Sequence, residues 1–214
     1  MNIRFAGFGG QGIVVAGYVL GQAAVFDGRN ALQTQSYGSE SRGGACKSDV
    51  TISDHVILDL APSASDVLVA MSQPAYDKYL PNLANDGLLI YESDLVRTDA
   101  NADVGPDAGR GSKPDNPASV ADTCNSGPKA PARAYGLPAT AVANKTYGRD
   151  LVANVIMIGY LAGLTGVASP ESFHKAIAES VPAKTIAMNL KAFEDGFNRA
   201  TEERDTGFGA TCVE

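Results

Sequence analysis

The first 26 residues constrain the fold more than any other part of the sequence. A short run of β-prone residues, Asn2–Phe8, leads through a glycine-rich stretch, Gly9–Gly12, into the apolar stretch Ile13–Phe26. The apolar residues of this last stretch recur at helical spacing. A strand, a tight glycine loop and a helix in this order form the first half of a βαβ unit. The sequence therefore predicts an α/β domain that begins with a loop suited to approach a phosphate.

The rest of the chain continues to alternate between strands and helices. Further strands are predicted at Ala31–Ser36, Ala45–Ser53, Asp66–Met71 and Gly87–Tyr91, and ordered sequence resumes at Ala134–Leu137. Helices are predicted at Gln73–Leu80, Asp150–Leu164, Glu171–Ser180 and Lys184–Arg199. This alternation predicts a Rossmann-like, doubly wound and mostly parallel sheet flanked by helices, with a helical C-terminal part. We expect residues 1–200 to form a single domain.

Two segments do not follow the pattern. Residues 98–133 contain five prolines, several glycines and almost no large apolar side chains. Such a segment buries too little surface to offset the entropy of ordering it, so we predict a long irregular insertion. Residues 201–214 are polar and contain glycine, and we expect a flexible tail.

Composition narrows the range of functions. The net charge of -7 disfavours nucleic acid and anionic membranes, which attract clustered Lys and Arg. Three distant cysteines and two histidines offer no spacing typical of an iron–sulfur or zinc site, so we expect no metal in this chain. The longest apolar stretch is shorter than the roughly 20 residues that span a bilayer. The N-terminus lacks the pattern of a signal peptide, and we expect a cytoplasmic protein.

The glycine loop is the first candidate binding site. Gly7, Gly9 and Gly12 match GxGxxG between a strand and a helix, where backbone amides meet a phosphate at the positive helix end. We predict that Gly9, Gly10, Gln11 and Gly12 bind such a ligand. The end of the second strand lacks the acidic residue that holds the ribose of NAD, so NAD is disfavoured. A tight turn that binds nothing remains the alternative.

A second loop, Gln35–Gly44, concentrates hydroxyls, glycines and a guanidinium. Within it, Ser39, Arg42 and Gly43 are the candidates for binding a phosphate or carboxylate. A solvated polar turn explains the same residues equally well. Ser72 is interpreted as a helix cap or as a residue lining the pocket, with the cap preferred. Other polar residues suggest no nucleophile, and we interpret three of them as structural: Cys46, His55 and His174.

Together these motifs resemble the gamma subunit of the 2-oxoacid:ferredoxin oxidoreductases. The resemblance rests on Gly7–Gly12 (GFGGQG), Gln33–Gly38 (QTQSYG) with Arg42–Gly44 (RGG), and Asp66–Gln73 (DVLVAMSQ). It continues in four further parts of the sequence: Tyr76–Pro81 (YDKYLP), Asn154, Gly159 and Asn189–Phe193 (NLKAF). It covers most of the chain apart from the insertion and the tail. The QSYG form of the second loop is most similar to the 2-oxoglutarate branch of the family.

The resemblance implies an enzyme subunit that takes part in oxidative decarboxylation of a 2-oxoacid to its acyl-CoA, or in the reverse reaction. It implies coenzyme A near the glycine loop and Arg42, and thiamine diphosphate, Mg and [4Fe-4S] clusters on other subunits. The implied partners are alpha and beta subunits, a ferredoxin-like delta subunit as a further candidate, and ferredoxin as electron acceptor. Two alternatives stay open: a free-standing nucleotide-binding protein and a structural subunit that binds no ligand.

Overall fold

A computed structural model describes residues 1–36, 45–60, 62–98, 131 and 133–206. Most of the predicted insertion lies outside these residues. So does the second loop, with Ser39, Arg42 and Gly43. Residues 207–214 of the predicted tail also lie outside them.

A six-stranded sheet forms the centre of the fold, with the spatial order β2-β3-β1-β4-β5-β6. Strands β1, β4, β5 and β6 pair in parallel, whereas β3 runs antiparallel to both of its neighbours, β1 and β2. Five of the six strands therefore point in one direction, which confirms the prediction of a mostly parallel sheet. The strands are β1 (Asn2–Phe8), β2 (Asn30–Gln35), β3 (Ala45–Ser53), β4 (Ser65–Ala70), β5 (Leu83–Glu92) and β6 (Arg133–Leu137).

Six α-helices accompany the sheet in the described part of the chain. They are α1 (Ile13–Phe26), α2 (Gln73–Tyr79), α3 (Ala139–Tyr147), α4 (Ala153–Thr165), α5 (Pro170–Ser180) and α6 (Ile186–Thr206). Every helix predicted from the pattern is present, with bounds within about three residues except for the C-terminal end of α6. The sequence pattern missed α3, which is short and carries only two buried side chains, Ala139 and Ala143. None of the described helices has the length and apolarity needed to cross a membrane.

Helix α6 continues into the segment that was expected to be a flexible tail. Glu203, in its last turns, accepts a hydrogen bond from the buried hydroxyl of Tyr160 on α4. The pKa of Tyr160 is raised mainly by burial, and further by this hydrogen bond and by the negative charge of Glu203. The contact ties the end of α6 to the core, so the helix ends at Thr206 rather than near residue 200.

The two faces of the sheet are covered unequally. Helices α1, α4, α5 and α6 share one large apolar cluster with one face, which includes Phe5, Val50, Val69 and Ile90. On the opposite face, α2 packs on a smaller cluster around Leu68. The helices on both faces agree with the predicted doubly wound arrangement.

Helices α4 and α6 approach each other closely at two glycines. A Cβ atom on Gly159 would lie 2.0 Å from the carbonyl oxygen of Phe193, and one on Gly196 would lie 2.0 Å from that of Ile156. Only hydrogen fits at either position. The close crossing fixes α4 against the sheet, and the N-terminal end of α4 thereby reaches the glycine loop.

Candidate functional site

The candidate site lies at the edge of the sheet where the five co-directional strands end. The glycine loop follows β1, Ser72 follows β4, and the short segment before α3 follows β6. The antiparallel β3 begins at this same edge. Ligands of open α/β sheets bind outside the carboxyl ends of the strands, at such an edge.

The glycine loop has a backbone shape that requires glycine at two positions. Gly10 has φ 96° and Gly12 has φ 74°, both in the left-handed region that side chains with a Cβ rarely adopt. Gly7 is needed for a different reason, because a Cβ there would lie 2.4 Å from Oε1 of Gln11 and 2.8 Å from Cδ1 of Ile13. The predicted turn is therefore present, and Gly9 and Gly10 are exposed at its tip.

The N-terminal end of α1 is uncapped by any side chain. Gly12 occupies the N-cap position, and the first turn contains no acidic residue that would offset the positive end of the helix dipole. The first intrahelical bond runs from the amide of Ala16 to the carbonyl of Gly12. The amides of the first turn therefore point towards the loop, in the arrangement with which helix N-termini bind phosphates and carboxylates.

Gln11 acts as a clamp between two strands. Its Oε1 accepts a hydrogen bond from the backbone N–H of Phe8 at 2.6 Å, and its Nε2 donates to the carbonyl of Met71 at 2.9 Å. The side chain thus joins the ends of β1 and β4. These two bonds occupy its oxygen and one amide proton, so the contribution of Gln11 to ligand binding would come mainly from its backbone and from holding the loop in shape.

Two buried polar side chains beside the loop lack a complete set of partners. Asn154, only 5% exposed, donates from Nδ2 to the carbonyl of Gly12 at 3.3 Å, but its Oδ1 has no partner among the described residues. Ser72, 1% exposed, occupies the N-cap position of α2, yet its hydroxyl makes no capping bond and likewise has no partner. A buried polar group without a partner costs about 1–3 kcal/mol. Ser65 and His174 each have such an atom as well, so this feature is not confined to the glycine loop.

The sequence prediction placed Ser72 at a helix cap, and the position is confirmed although the capping bond is not made. Asn154 was recognised only as part of the family resemblance. No local pattern marks it as a site residue, because it reaches Gly12 from a helix 142 positions further along the chain.

Glu92 is a buried carboxylate at the end of β5 that the sequence analysis did not single out. Its Oε2 accepts hydrogen bonds from the backbone N–H of Thr140 at 2.8 Å and from the Thr140 hydroxyl at 2.9 Å. Burial raises the pKa of Glu92, although these hydrogen bonds lower it in part. The carboxylate thereby fixes the first turn of α3 at the edge of the sheet where the site lies.

The second predicted loop begins and ends at this edge. The amide of Ser36, where β2 ends, donates to the carbonyl of Lys47 near the start of β3. The three candidate residues between them, Ser39, Arg42 and Gly43, lie outside the described residues and remain predictions. Among the residues that the structure describes, no group of three or more His, Cys, Asp or Glu side chains could hold a metal ion.

The three residues that the sequence analysis interpreted as structural lie on β3, on α5 and in the connection after β3. Cys46 packs against the large apolar cluster, and burial raises the pKa of its thiol. His174 lies edge-on to the ring of Phe193, with centroids 5.5 Å apart. His55 lies in the connection that follows β3, where its carbonyl accepts a bond from Asn30. Cys46 pairs with Gly7 in the β1–β3 ladder, directly before the turn of the glycine loop.

The fold and the loop define an α/β protein with a glycine-rich turn at the first switch from strand to helix. Comparison with protein families assigns the chain more narrowly than its fold does. Residues 2–199 match the family described as pyruvate ferredoxin/flavodoxin oxidoreductase. The match covers nearly the whole chain, and the protein belongs to this family.

Curated relatives point to one branch. The chain is 40% identical to the 2-oxoglutarate synthase subunit KorC of Methanocaldococcus jannaschii, over 94% of both sequences. It is 41% identical to KorC of Methanothermobacter thermautotrophicus, over 91% of this chain and 92% of that protein. It also matches the ketoisovalerate oxidoreductase subunit VorA of the latter organism at 32% identity, but there it covers only 37% of the longer protein.

Solved structures have the same fold. A keto/oxoacid ferredoxin oxidoreductase gamma subunit from Geobacter sulfurreducens aligns with a TM-score of 0.70 and 35% identity, over 94% of this chain and 98% of that one. A 2-oxoglutarate:ferredoxin oxidoreductase from Magnetococcus marinus aligns with a TM-score of 0.71 at 21% identity, over 94% of this chain and 31% of that one. The second likeness concerns the fold alone.

Proposed function

We propose that this chain is the gamma subunit of a multi-subunit 2-oxoglutarate:ferredoxin oxidoreductase. The observation that carries the proposal is the identity of about two residues in five to KorC proteins, with more than nine-tenths of both sequences covered. The pyruvate and branched-chain activities are the competing assignments within the family. Identity to the VorA subunit is lower, at 32%, which favours the 2-oxoglutarate branch.

In the proposed reaction, 2-oxoglutarate, coenzyme A and two oxidised ferredoxins give succinyl-CoA, CO2, two reduced ferredoxins and a proton. The bond between C1 and C2 of the 2-oxoacid breaks, and C2 forms a thioester with the sulfur of coenzyme A. The two electrons released pass one at a time to ferredoxin. The reverse reaction balances in the same way and incorporates CO2 into 2-oxoglutarate.

The contribution of this chain is to bind a phosphate of coenzyme A at the glycine loop. The uncapped N-terminus of α1 offers backbone N–H donors and a positive dipole end, and the exposed Gly9 and Gly10 let the phosphate approach the backbone. The unpartnered hydroxyl of Ser72 is a nearby donor. Arg42 is the further cation that we assign to this phosphate, on the basis of the sequence.

The redox and decarboxylation chemistry is assigned to partner subunits. The described residues contain no cluster of metal ligands, so they do not fit an iron–sulfur cluster or a thiamine-bound Mg ion. In this proposal alpha and beta subunits carry those groups, and a ferredoxin-like delta subunit and ferredoxin itself receive the electrons. In this proposal the enzyme is cytoplasmic.

The proposal is tested with the complete complex, purified through a tag on one partner subunit. Ferredoxin reduction is measured with 2-oxoglutarate, pyruvate, 2-oxoisovalerate and indolepyruvate, each with and without coenzyme A. We expect the highest kcat/KM for 2-oxoglutarate and no acyl product without coenzyme A. A complex that oxidises none of the four acids contradicts the proposal, and one that prefers pyruvate contradicts the branch.

Two glycines provide a matched test of the phosphate site. Gly10 and Gly28 both have a left-handed φ, 96° and 79°, and neither has an atom within 4 Å of the position that a Cβ would occupy. Ala at either position should therefore lower stability by a similar amount, about 1–2 kcal/mol. Only Gly10→Ala adds a methyl group at the proposed phosphate site.

We expect Gly10→Ala to raise the KM for coenzyme A severalfold and to leave the KM for 2-oxoglutarate unchanged. Gly28→Ala lies in the turn after α1, at the opposite edge of the sheet, and should change neither value. An equal effect of both variants on coenzyme A would mean that the loop does not contact it.

A further inference from the structure

A second pocket lies between the start of α4 and the start of α6, apart from the glycine loop itself. Its volume is about 270 Å³, and it is lined by Arg149, Lys184, Thr185 and Met188. Arg149 stands directly before the short turn that leads into α4, and Lys184 belongs to the turn that leads into α6. Two positive side chains from separate segments of the chain therefore line one small cavity.

The described part of the chain does not neutralise the two positive charges of this Arg149–Lys184 pocket. Neither side chain forms an ion pair with a described carboxylate, although Asp150 is next to Arg149 in the sequence. Two unpaired cations at one cavity repel each other, and an anion that lies between them relieves this repulsion. In a chain with a net charge of -7, such a pair is suited to an anionic ligand.

The wall of the pocket on the α6 side is held in place by hydrogen bonds. The hydroxyl of Thr185 donates to the carbonyl of Pro182 at 2.9 Å. Asn189, which is buried in the first turn of α6, donates from Nδ2 to the carbonyl of Thr185 at 2.8 Å. The turn that carries Lys184 is therefore fixed, whereas the ammonium group of Lys184 remains available to a ligand.

Helices α4 and α6 run in the same direction and begin at the same end of the molecule. A Cβ atom on Gly159 would meet the carbonyl of Phe193, and one on Gly163, a turn later in α4, would meet Ala200, which is further along α6. The contacts thus advance together along both helices. Like α1, neither helix has an acidic residue in its first turn. Three positive helix ends therefore lie at one edge of an acidic chain and add to the potential of the two cations.

The pocket is close enough to the glycine loop for one ligand to reach both. Asn154, in the first turn of α4, donates to the carbonyl of Gly12 at 3.3 Å. Arg149 is five positions before Asn154, and most of this interval is helical. The Cα atoms of Arg149 and Asn154 therefore lie within about 12 Å of each other. A ligand with two phosphate groups on one ribose matches such a spacing.

We propose that the Arg149–Lys184 pocket binds the 3'-phosphate of coenzyme A, whose diphosphate lies at the glycine loop. This inference rests on the proposed function, because it takes coenzyme A as the ligand. A phosphomonoester carries between one and two negative charges at neutral pH and has three strong acceptor oxygens. The guanidinium of Arg149 binds two of these oxygens at once, and the ammonium of Lys184 supplies a further donor. Contacts at both phosphate groups then fix the orientation of the ribose.

The test compares coenzyme A with dephospho-coenzyme A, which lacks only the 3'-phosphate. Equilibrium binding of each ligand to the purified complex is measured in the absence of a 2-oxoacid. The wild type should bind coenzyme A about tenfold more tightly than dephospho-coenzyme A, and low ionic strength should widen this preference. The double variant Arg149→Gln with Lys184→Gln should bind coenzyme A about tenfold more weakly than the wild type and dephospho-coenzyme A equally well.

A second double variant controls for net charge. Arg133 and Arg199 are both exposed, Arg133 at the start of β6 on the opposite edge of the sheet and Arg199 in the second half of α6. Arg133→Gln with Arg199→Gln removes the same two charges as the first double variant. It should keep the wild-type preference for coenzyme A. Arg149→Lys keeps both charges at the pocket and should retain a part of the preference.

Three results overturn the inference: the first double variant prefers coenzyme A as strongly as the wild type, it loses affinity for both ligands equally, or the control variant loses the preference too. A rise in the KM for 2-oxoglutarate alone also overturns it and assigns the two cations to the substrate carboxylates. Failure of the proposed function looks different. A complex with the expected preference that does not oxidise 2-oxoglutarate contradicts the substrate but supports the pocket, whereas a complex that binds neither ligand contradicts both.

Discussion

Gln11 allows the shape of the glycine loop to be separated from its charge. Its side chain joins Phe8 and Met71 through two hydrogen bonds, and it lies beside the positive end of α1. Gln11→Met keeps the length of the side chain but removes both bonds. Gln11→Glu keeps an acceptor for the Phe8 amide, removes the donor to the Met71 carbonyl and adds a negative charge.

The magnitudes follow from these contacts. Each hydrogen bond contributes about 1 kcal/mol net, so Gln11→Met should lose about 1–2 kcal/mol of stability. Gln11→Glu loses one bond and places a carboxylate oxygen against a carbonyl. A negative charge near a helix N-terminus stabilises by about 0.3–1 kcal/mol. The net loss of stability of Gln11→Glu should therefore be smaller than that of Gln11→Met. That same charge would repel a phosphate at the proposed site and should raise the KM for coenzyme A about tenfold or more.

The two variants should therefore rank in opposite order in two assays. Urea denaturation of the chain should find Gln11→Met the less stable, whereas steady-state kinetics of the complex should find Gln11→Glu the weaker in coenzyme A binding. The KM for 2-oxoglutarate serves as the internal control. If the loss in coenzyme A binding simply followed the loss in stability, the argument from charge at the N-terminus of α1 would be refuted.

Two further predictions concern stability. Gly159→Ala places a Cβ 2.0 Å from the carbonyl oxygen of Phe193 and should destabilise the chain by about 1–3 kcal/mol. Gly21→Ala meets no atom closer than 3.9 Å and should stabilise the chain by about 0.5–1 kcal/mol. Thermal unfolding that finds both variants more stable than wild type would contradict the packing of α4 on α6. Burial opposes ionisation of Asp27, but hydrogen bonds from Ser172 and Ser169 outweigh it and lower the pKa of Asp27. The advantage of wild type over Asp27→Asn should therefore be full above about pH 5 and decline below about pH 4, and an advantage that grows on acidification would contradict this sign.

Several features of the fold could be predicted from the sequence because they depend on neighbouring residues. The change from strand to glycine turn to helix in Asn2–Phe26 is local, and the structure has it with the predicted bounds. Nearly all residues of helix α4 are apolar, which accounts for the burial of its side chains on all sides. Ser169 followed by Pro170 is a local N-cap pattern, and Ser169 accepts a bond from the Ser172 amide.

Tertiary structure alone decided which residues meet at the site. The antiparallel direction of β3 depends on its pairing with β1 and β2, and alternation along β3 carries no information on direction. Asn154 reaches Gly12 from α4, which packs closely on α6 at Gly159 and Gly196.

The sequence by itself thus determined the class of fold, the position of the glycine loop and, through its motifs, the family. The two strands that Gln11 joins and the buried polar groups beside the loop became visible only in three dimensions. The physical reason is that helical and strand periodicity depends on residues a few positions apart. The site, in contrast, is assembled by packing between segments that are up to 142 positions apart in the chain.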